Sequence, residues 1–267
     1  TLGFNQTFNN CTGLTGSIPT DLFIYNTLVS SSGFFGTFFS CSGLTGSIPT
    51  DLFRYNTLVS SSGFYQTFYN CSGLTGSIPA DLFRYNTLVS TLGFYGTFFS
   101  CSGLTGSIPT DLFRYNTLVS TFGFYQTFYN CSGLTSIPAD LFRYNTLVST
   151  FGFYATFYGC TGLTSIPADL FRYNTECTAF NSVFQNCAKL QLSSDIFFAA
   201  GEESTRFLNK SVDFTNAMRL LVFSGSQGTA PALWNCNFGT GTPVKTGCFI
   251  GHSISSVSNY ADIPANW

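Results

Sequence analysis

The sequence predicts an α/β solenoid, a stack of similar coils built from short strands and short helical turns. One unit is repeated six times within residues 1–175, and its Cys-[Ser/Thr]-Gly-Leu-Thr block starts at six regularly spaced cysteines. Those residues are Cys11, Cys41, Cys71, Cys101, Cys131 and Cys160, so the period is 30 and finally 29. A fixed period of this length is typical of solenoids, in which each unit buries its apolar face against its neighbours. We therefore expect equivalent side chains to form continuous rows.

The unit opens with a segment whose apolar residues have helical spacing. In the third unit, Phe64, Phe68 and Cys71 lie at i, i+4 and i+7, which predicts one inward-facing stripe of a short helix. Because the cysteines recur at one position of every unit, we expect a row of reduced, packed thiols.

A short strand is expected from Leu74 to Ile78, where Pro79 ends it. The extra Gly76 inside this strand has counterparts only in the first four units, at Gly16, Gly46 and Gly106. A single additional glycine in a strand predicts a bulge. Strand regularity should therefore change between Cys101 and Cys160.

The second half of the unit starts at Pro79, a residue favoured at the first position of a helix. We predict a second helical turn over residues 80–86, with Leu82 and Phe83 pointing inward, and a second strand over residues 87–90. Asp and Arg recur in step within this turn, as Asp81 and Arg84 do in the third unit. A structural ladder of ion pairs is one interpretation of these columns, and a row of arginines that binds anions or carbohydrate is another.

The regular pattern ends near residue 175. Residues 176–205 are interpreted as a degenerate seventh repeat, and residues 206–267, where charge is denser, as a C-terminal capping region. Cys236 and Cys248 lie outside the array in a Gly/Thr-rich segment, so a disulfide between them stays open. No capping sequence is visible near Thr1, and that edge could meet further protein or another copy of the chain.

These motifs resemble the BspA-like, Treponema-type leucine-rich repeats of bacterial surfaces and phage virions. The resemblance rests on the Leu-x-x-Ile-Pro of residues 134–138 and the Thr-Phe-x-x-Cys of residues 156–160, and it covers residues 1–200. The present unit is longer because of the Ala-Asp-Leu-Phe-Arg-Tyr-Asn segment between the strands. The resemblance implies a curved, non-enzymatic leucine-rich-repeat superhelix of the kind found in surface adhesins and virion proteins.

Composition argues against several other functions. Charged residues make up only 8% of the chain and the net charge is −2, so we expect no nucleic-acid partner. No apolar stretch is long enough to insert into a membrane. The one histidine, His252, and the lack of metal-binding or nucleotide-binding motifs predict no cofactor and no enzymatic activity.

Candidate binding residues come from positions at which the near-identical copies disagree, on the side of the predicted helix opposite Phe64. Aromatic and amide side chains dominate these positions and suit contact with sugars or proteins. Relaxed constraint at exposed sites and subunit packing are the alternatives, and an exposed threonine row is a further candidate face. The candidate residues are Tyr65, Gln66, Tyr69, Tyr95, Tyr125, Gln126, Tyr129, Tyr154 and Tyr158.

We therefore expect an extracellular, cell-surface or virion-surface adhesion module that binds a glycan or a protein through a solenoid face. The alternative is a structural subunit that assembles end to end into an extracellular filament through its N-terminal edge.

Overall fold

In the part of the chain that the structure describes, the fold is a stack of nine coils joined by backbone hydrogen bonds. A computed structural model describes residues 3–220, 226–253 and 255–267, and Thr1, which began the predicted open edge, lies outside them. In the third coil, the amides of Phe64, Gln66 and Phe68 donate to carbonyls of the fourth coil over 3.0, 2.7 and 2.9 Å. Equivalent bonds connect every successive pair of coils, which confirms the predicted solenoid. The coils are residues 3–30, 31–60, 61–90, 91–120, 121–149, 150–176, 177–210, 211–220 with 226–241, and 242–253 with 255–267.

The predicted helical turns are wrong in their local geometry. No α-helix occurs within the described residues. The segment from Ser62 to Cys71 is instead a run of turns in which alternate amides bond three residues back and the others bond the next coil. Ser62, Gln66 and Asn70 have φ of 52°, 52° and 57°, and this left-handed conformation at every fourth residue interrupts any helix. Because the turns also repeat every four residues, Phe64 and Phe68 still face inward, and both are fully buried.

The regular strands are few, and they lie where the sequence predicted a change. In the described part of the chain they are β1 (Gly106–Ser107) and β2 (Leu134–Ser136), which pair in parallel with a register shift beside Gly106. Gly106 has φ of 80°, so the predicted bulge is confirmed. The predicted second strand at residues 87–90 is wrong. That segment is a turn closed by the amide of Val89 on the carbonyl of Asn86, and it makes no strand pairing.

The core consists of stacked phenylalanines. Phe34, Phe64, Phe94 and Phe124 form one column with ring centroids 5.7–5.8 Å apart. A second column, which includes Phe83, packs against the first with centroids 4.6–4.7 Å apart. Each fully buried ring contributes roughly 2–3 kcal/mol of hydrophobic stabilisation, so the interior stabilises the stack without metals.

Buried polar side chains form rows that bond the preceding coil. The thiol of Cys71 donates to the carbonyl of Phe38 over 2.9 Å, and the hydroxyl of Thr67 donates to Phe34 over 2.8 Å. The predicted row of packed, reduced thiols is thus confirmed from Cys41 to Cys187. An asparagine row, which the sequence analysis missed, bonds two carbonyls per residue. Its members are Asn56, Asn86, Asn116, Asn145 and Asn174.

Stacking continues through residues 177–267, so the division into a degenerate repeat (176–205) and a cap (206–267) stays a prediction. In coil seven the guanidinium of Arg206 donates to the carbonyls of Phe171 and Asn174. In the preceding coils, the side-chain amide of an asparagine donates to the equivalent pair of carbonyls. The possible disulfide is absent. Cys236 and Cys248 are both described, and each is a buried free thiol.

Candidate binding faces

The candidate aromatic residues form two columns of stacked rings, which we call the aromatic face. Centroids within each column are 4.2–4.6 Å apart and neighbouring planes lie within 13° of each other. One column is Phe35, Tyr65, Tyr95, Tyr125 and Tyr154, and the other is Phe39, Tyr69, Phe99, Tyr129 and Tyr158. The structure therefore brings the candidate tyrosines together on one side of the stack, where all are half-buried.

Stacking leaves the ring edges and hydroxyls accessible, because each interior ring is covered on both faces by its neighbours. Desolvation by burial raises the pKa of Tyr95 and that of Tyr129, the latter to about 12. These hydroxyls stay protonated at neutral pH and can both donate and accept hydrogen bonds. The aromatic face can thus form hydrogen bonds at its edge, but a sugar ring cannot stack on an interior tyrosine.

The differences between copies on this face have a packing explanation. A Cβ atom added at Gly96 would lie 3.3 Å from Cγ of Gln66, so the long Gln66 side chain occupies the space beside the glycine of the next coil. Gly36 has the same relation to Gln6. Glutamine and glycine alternate from coil to coil in the first five coils for this reason. Variation at these positions therefore does not require a ligand.

The backbone restricts the same positions further. Gln66, Gln126 and Asn130 all have φ between 52° and 55°, and their glycine counterparts Gly36 and Gly96 have 54° and 55°. Asparagine and glycine tolerate this left-handed conformation best. The two candidate glutamines are half-buried members of this turn, and they flank the tyrosine columns.

A second exposed surface, the leucine stripe, was missed by the sequence analysis. Leu58, Leu88, Leu118 and Leu147 occupy the same position in four consecutive coils, and each is 43–51% exposed. The interpretation of residues 87–90 as a strand concealed this, because it gave Leu88 no surface role. The sequence did contain a sign of this surface. The leucine directly precedes the inward-facing valine, and neighbouring residues of an extended segment point to opposite sides, so the leucine should face solvent.

Arginine and tyrosine form a column beside the leucine stripe. Arg84 pairs with Asp81 at 3.2 Å within its own coil, which confirms the ion-pair interpretation of the Asp and Arg columns. Its guanidinium also lies 5.2 Å from the ring centroid of Tyr115 in the next coil. The same arrangement recurs in neighbouring coils with distances of 4.9–5.3 Å. Tyrosine rings thus separate the arginines, and each arginine charge is balanced locally.

The threonine row forms a third, purely polar face. Its members are exposed, and the polar side chains are sparsely bonded, as in the 3.4 Å contact from the Thr164 hydroxyl to the Thr135 carbonyl. The row comprises Thr15, Thr45, Thr75, Thr105, Thr135 and Thr164.

Among the described residues, the histidine and all cysteines except Cys11 are buried. No group of three or more His, Cys, Asp or Glu side chains is placed to hold a metal in the parts of the chain that the structure describes. His252 is buried, with its nitrogens 2.8 Å from Oε1 of Gln227 and 2.6 Å from the carbonyl of Met218. Burial lowers its pKa, which favours the neutral ring. Desolvation raises the pKa of the Cys131 thiol to about 12, so the thiolate needed for nucleophilic chemistry is not populated.

The two ends of the stack differ in how they are closed. At the N-terminal edge, the carbonyls of Asn5 and Thr7 receive no backbone donor from the described residues, whereas their equivalents in later coils do. At the C-terminal edge, the amides of Gly247 and Phe249 have no acceptor within that part of the chain. Trp267 nevertheless packs against Phe249 with centroids 6.5 Å apart and helps to bury the core there.

No known protein-family model matches the sequence, and no curated protein matches it. Among solved structures, the chain aligns with the Drosophila Toll–Spatzle complex at 15% identity and a TM-score of 0.32, covering 80% of this chain and 29% of that one. The APL1 leucine-rich repeat domain aligns at 10% identity and a TM-score of 0.32, covering 80% and 60%. A leucine-rich repeat protein from Bacteroides ovatus aligns at 15% identity and a TM-score of 0.26, covering 90% and 77%.

The chain spans less than two thirds of the length of the first two of these proteins. Similarity at such TM-scores carries no information about function, and the solenoid is evident from the coil stacking itself. Within the described residues no helix is long and apolar enough to cross a membrane.

Proposed function

We propose that this chain is a non-enzymatic recognition module of a cell surface or virion surface. The observation that carries the proposal is the leucine stripe, an ordered row of exposed leucines on a chain in which charged residues make up only 8%. Contiguous exposed apolar surface is typical of protein interaction sites. Its rigid support, with every coil bonded to the next, lowers the entropic cost of binding.

A protein partner fits the leucine stripe best, because apolar side chains contribute by desolvation and the adjacent arginines are already neutralised. A glycan fits the aromatic face better, where tyrosine hydroxyls offer a row of hydrogen-bonding groups. We propose the leucine stripe as the protein contact, and Tyr65, Tyr95 and Tyr125 with their neighbours as the glycan contact.

An extracellular location is compatible with ten free cysteines because of their burial. Nine of the ten are buried, and desolvation raises the pKa of thiols such as Cys187, to about 12. Oxidation and disulfide exchange require an accessible thiolate. The thiol row would therefore persist in an oxidising environment.

Paired variants test the two surfaces. Leu88→Asn with Leu118→Asn removes apolar area at the centre of the stripe, and Tyr95→Phe with Tyr125→Phe removes hydroxyls while preserving the stacked rings. Thr75→Ser with Thr105→Ser on the third face is the matched control. Binding is measured on a glycan array and on whole cells before and after surface proteolysis.

Protease-sensitive cell binding that the leucine pair abolishes, and that the threonine pair preserves, supports the protein contact. Glycan binding lost only in the tyrosine pair supports the glycan contact. A folded wild-type chain that binds neither cells nor any glycan contradicts the proposed function.

The second candidate function is an end-to-end filament, and the observation that favours it concerns the two ends of the stack. The carbonyls of Asn5 and Thr7 at the first coil and the amides of Gly247 and Phe249 at the ninth, which have no backbone partner among the described residues, are complementary in kind. The burial of Phe249 beneath Trp267 opposes it, since a docking coil would have to displace that cover.

The thiol of Cys11 reports directly on this edge, because Cys11 is the exposed cysteine among the ten. Head-to-tail docking would protect it at high protein concentration. Concentration-dependent loss of Cys11 labelling, together with growing mass in light scattering, supports the filament. A monodisperse monomer with constant labelling rules it out.

A further inference from the structure

A cavity of about 480 Å³ lies beside the junction between coils six and seven, and cationic groups dominate its lining. Arg172, Arg206 and Lys210 line it together with a single carboxylate, that of Glu202. The regular coils each contribute one arginine, which its own aspartate neutralises. This cavity therefore differs from the rest of the side face in bringing three cationic side chains together.

Two of the three cations already have carboxylate partners. Arg172 bonds Glu202 through two nitrogens over 3.1 and 2.6 Å, and Lys210 lies 3.4 Å from Oε1 of Glu176. Arg206 bonds only backbone carbonyls, over 3.0–3.2 Å, and no carboxylate of the described residues is within ion-pair distance of it. Its Nη1 atom has no hydrogen-bond partner, although the side chain is only 7% exposed.

The structural role of Arg206 explains its hydrogen bonds but not its charge. In five preceding coils a neutral asparagine amide bonds the same pair of carbonyl positions, as Asn174 does in coil six. A buried cation without a carboxylate in ion-pair contact is costly. The carboxylates of Glu176 and Glu202 stabilise the Arg206 charge from beyond that distance, so a closer anion would stabilise it further. Burial lowers the pKa of Arg206 to about 10, which still leaves it protonated at neutral pH.

We propose that this cavity binds a small oxyanion, such as a carboxylate, sulfate or phosphate group, between Arg206 and Lys210. Guanidinium and ammonium groups together form charge-assisted hydrogen bonds to such oxygens. Thr175 and Thr205 line the same cavity, where their hydroxyls donate to Oε1 of Glu176 and to the carbonyl of Glu202. The site does not depend on the proposed recognition function, and its lining shares no residue with the aromatic face or the leucine stripe.

The buried Nε–H of Arg206 gives a site-specific signal in a ¹H–¹⁵N correlation spectrum. Acetate, sulfate and inorganic phosphate are titrated separately into the full chain, with chloride at matched ionic strength as reference. We expect a saturable shift of this signal with an apparent Kd on the order of 1 mM for at least one anion.

Lys210→Gln removes one cation at a partly exposed position and should weaken binding about tenfold. Arg84→Gln, which removes a cation from a regular coil, is the matched control and should leave binding unchanged. Arg206→Gln tests the charge directly, but it also alters the end of the asparagine row. If the Arg206→Gln chain fails to fold, the result for Lys210→Gln is the decisive one. The proposal is overturned if no anion gives a saturable shift, or if Lys210→Gln binds as tightly as the wild-type chain.

Discussion

The first and last coils have related backbones but opposite surroundings. In the first coil Cys11 is exposed and Leu14 is 37% exposed, whereas their equivalents in the next coil, Cys41 and Leu44, are 0% and 3% exposed. In the last coil Cys248 is fully buried and Phe249 is 5% exposed, because residues near Trp267 fold over the core.

This difference shows that the contribution of a repeat residue to the free energy of unfolding depends on the coil in which it lies. Each coil bonds the coil before it through Thr, Cys and Asn side chains, so these side chains stabilise the fold only where a preceding coil is present. Asn26 in the first coil is exposed, whereas Asn116, at the same position of the repeat, is fully buried. Matched substitutions in the first coil and in an inner coil therefore separate intrinsic from stacking contributions.

The largest predicted effect is a loss of stability at alkaline pH that arises in the inner coils. Desolvation by burial raises the pKa of Cys131 and Cys187 to about 12 and that of Cys177 to about 11. The folded state retains these protons, whereas unfolded thiols lose them above about pH 8.5. Stability is thus fully present below that pH and falls as pH rises toward the folded-state pKa, by about 2 kcal/mol per thiol at about pH 10.

Urea unfolding under reducing conditions at neutral pH and at about pH 10 measures this effect. The range stops there because Arg206, whose pKa burial lowers to about 10, then begins to lose its proton. Cys131→Ala should reduce the dependence of the unfolding free energy on pH by the contribution of one thiol. An unfolding free energy that stays constant up to that pH would show that the thiol row is accessible to solvent.

A leucine pair gives the next largest contrast. Leu74→Ala in the third coil removes a fully buried side chain and should cost about 2–5 kcal/mol. Leu14→Ala in the first coil removes a partly exposed side chain and should cost about 1 kcal/mol. Urea unfolding of both variants measures the difference. Equal costs would indicate that the first coil is covered in solution.

The stack was predictable from the sequence because its cause is local and repeated. Equal residues at a fixed period predict rows whichever local structure carries them. Phe64, Phe68, Leu82 and Phe83 were correctly placed inside for this reason. The bulge at Gly106 was predictable because an added glycine in a strand has few other uses.

Local geometry was less predictable, because four-residue turns and a helix place the same residues inward. An i, i+4 pattern such as Phe64 and Phe68 fits both. The distinguishing sign was Asn, Ser, Gln or Gly at every fourth position, as at Gln66 and Asn70, since these residues mark left-handed backbone more than helix. The exposure of Leu88 depended on this geometry, so the leucine stripe was missed with it.

Arg206 could not be placed from the sequence. It lies outside the repeat, 32 residues after Asn174 and 35 after Phe171. Its longer side chain reaches the carbonyls that an asparagine side chain bonds in the regular coils. No periodicity predicts that substitution. The ring stacking of the tyrosines was implicit in the rows, but its consequence, covered ring faces, required the 4.4 Å spacing.

An asparagine pair gives a smaller contrast between coils. Asn116→Ala removes the amide that donates to the carbonyls of Phe83 and Asn86 over 3.1 and 2.9 Å, so each of these buried carbonyls keeps only its backbone donor. We expect a cost of about 2 kcal/mol. Asn26→Ala should cost close to nothing, because its exposed side chain has no preceding coil to bond within the described residues. A substantial loss on Asn26→Ala would contradict an open first edge.

The smallest predicted effect comes from opening the closed end. Trp267→Ala removes the half-buried ring that packs 6.1 Å from Phe214 and 6.5 Å from Phe249, and it should cost about 1–2 kcal/mol. Hydrogen exchange resolves where that loss falls. Amides of residues 245–251 should exchange faster in the variant, while those of residues 64–70 stay protected, because coils interact only with their neighbours. Faster exchange throughout the stack would mean that the coils unfold as one cooperative unit, and the two ends would then be energetically coupled despite their different surroundings.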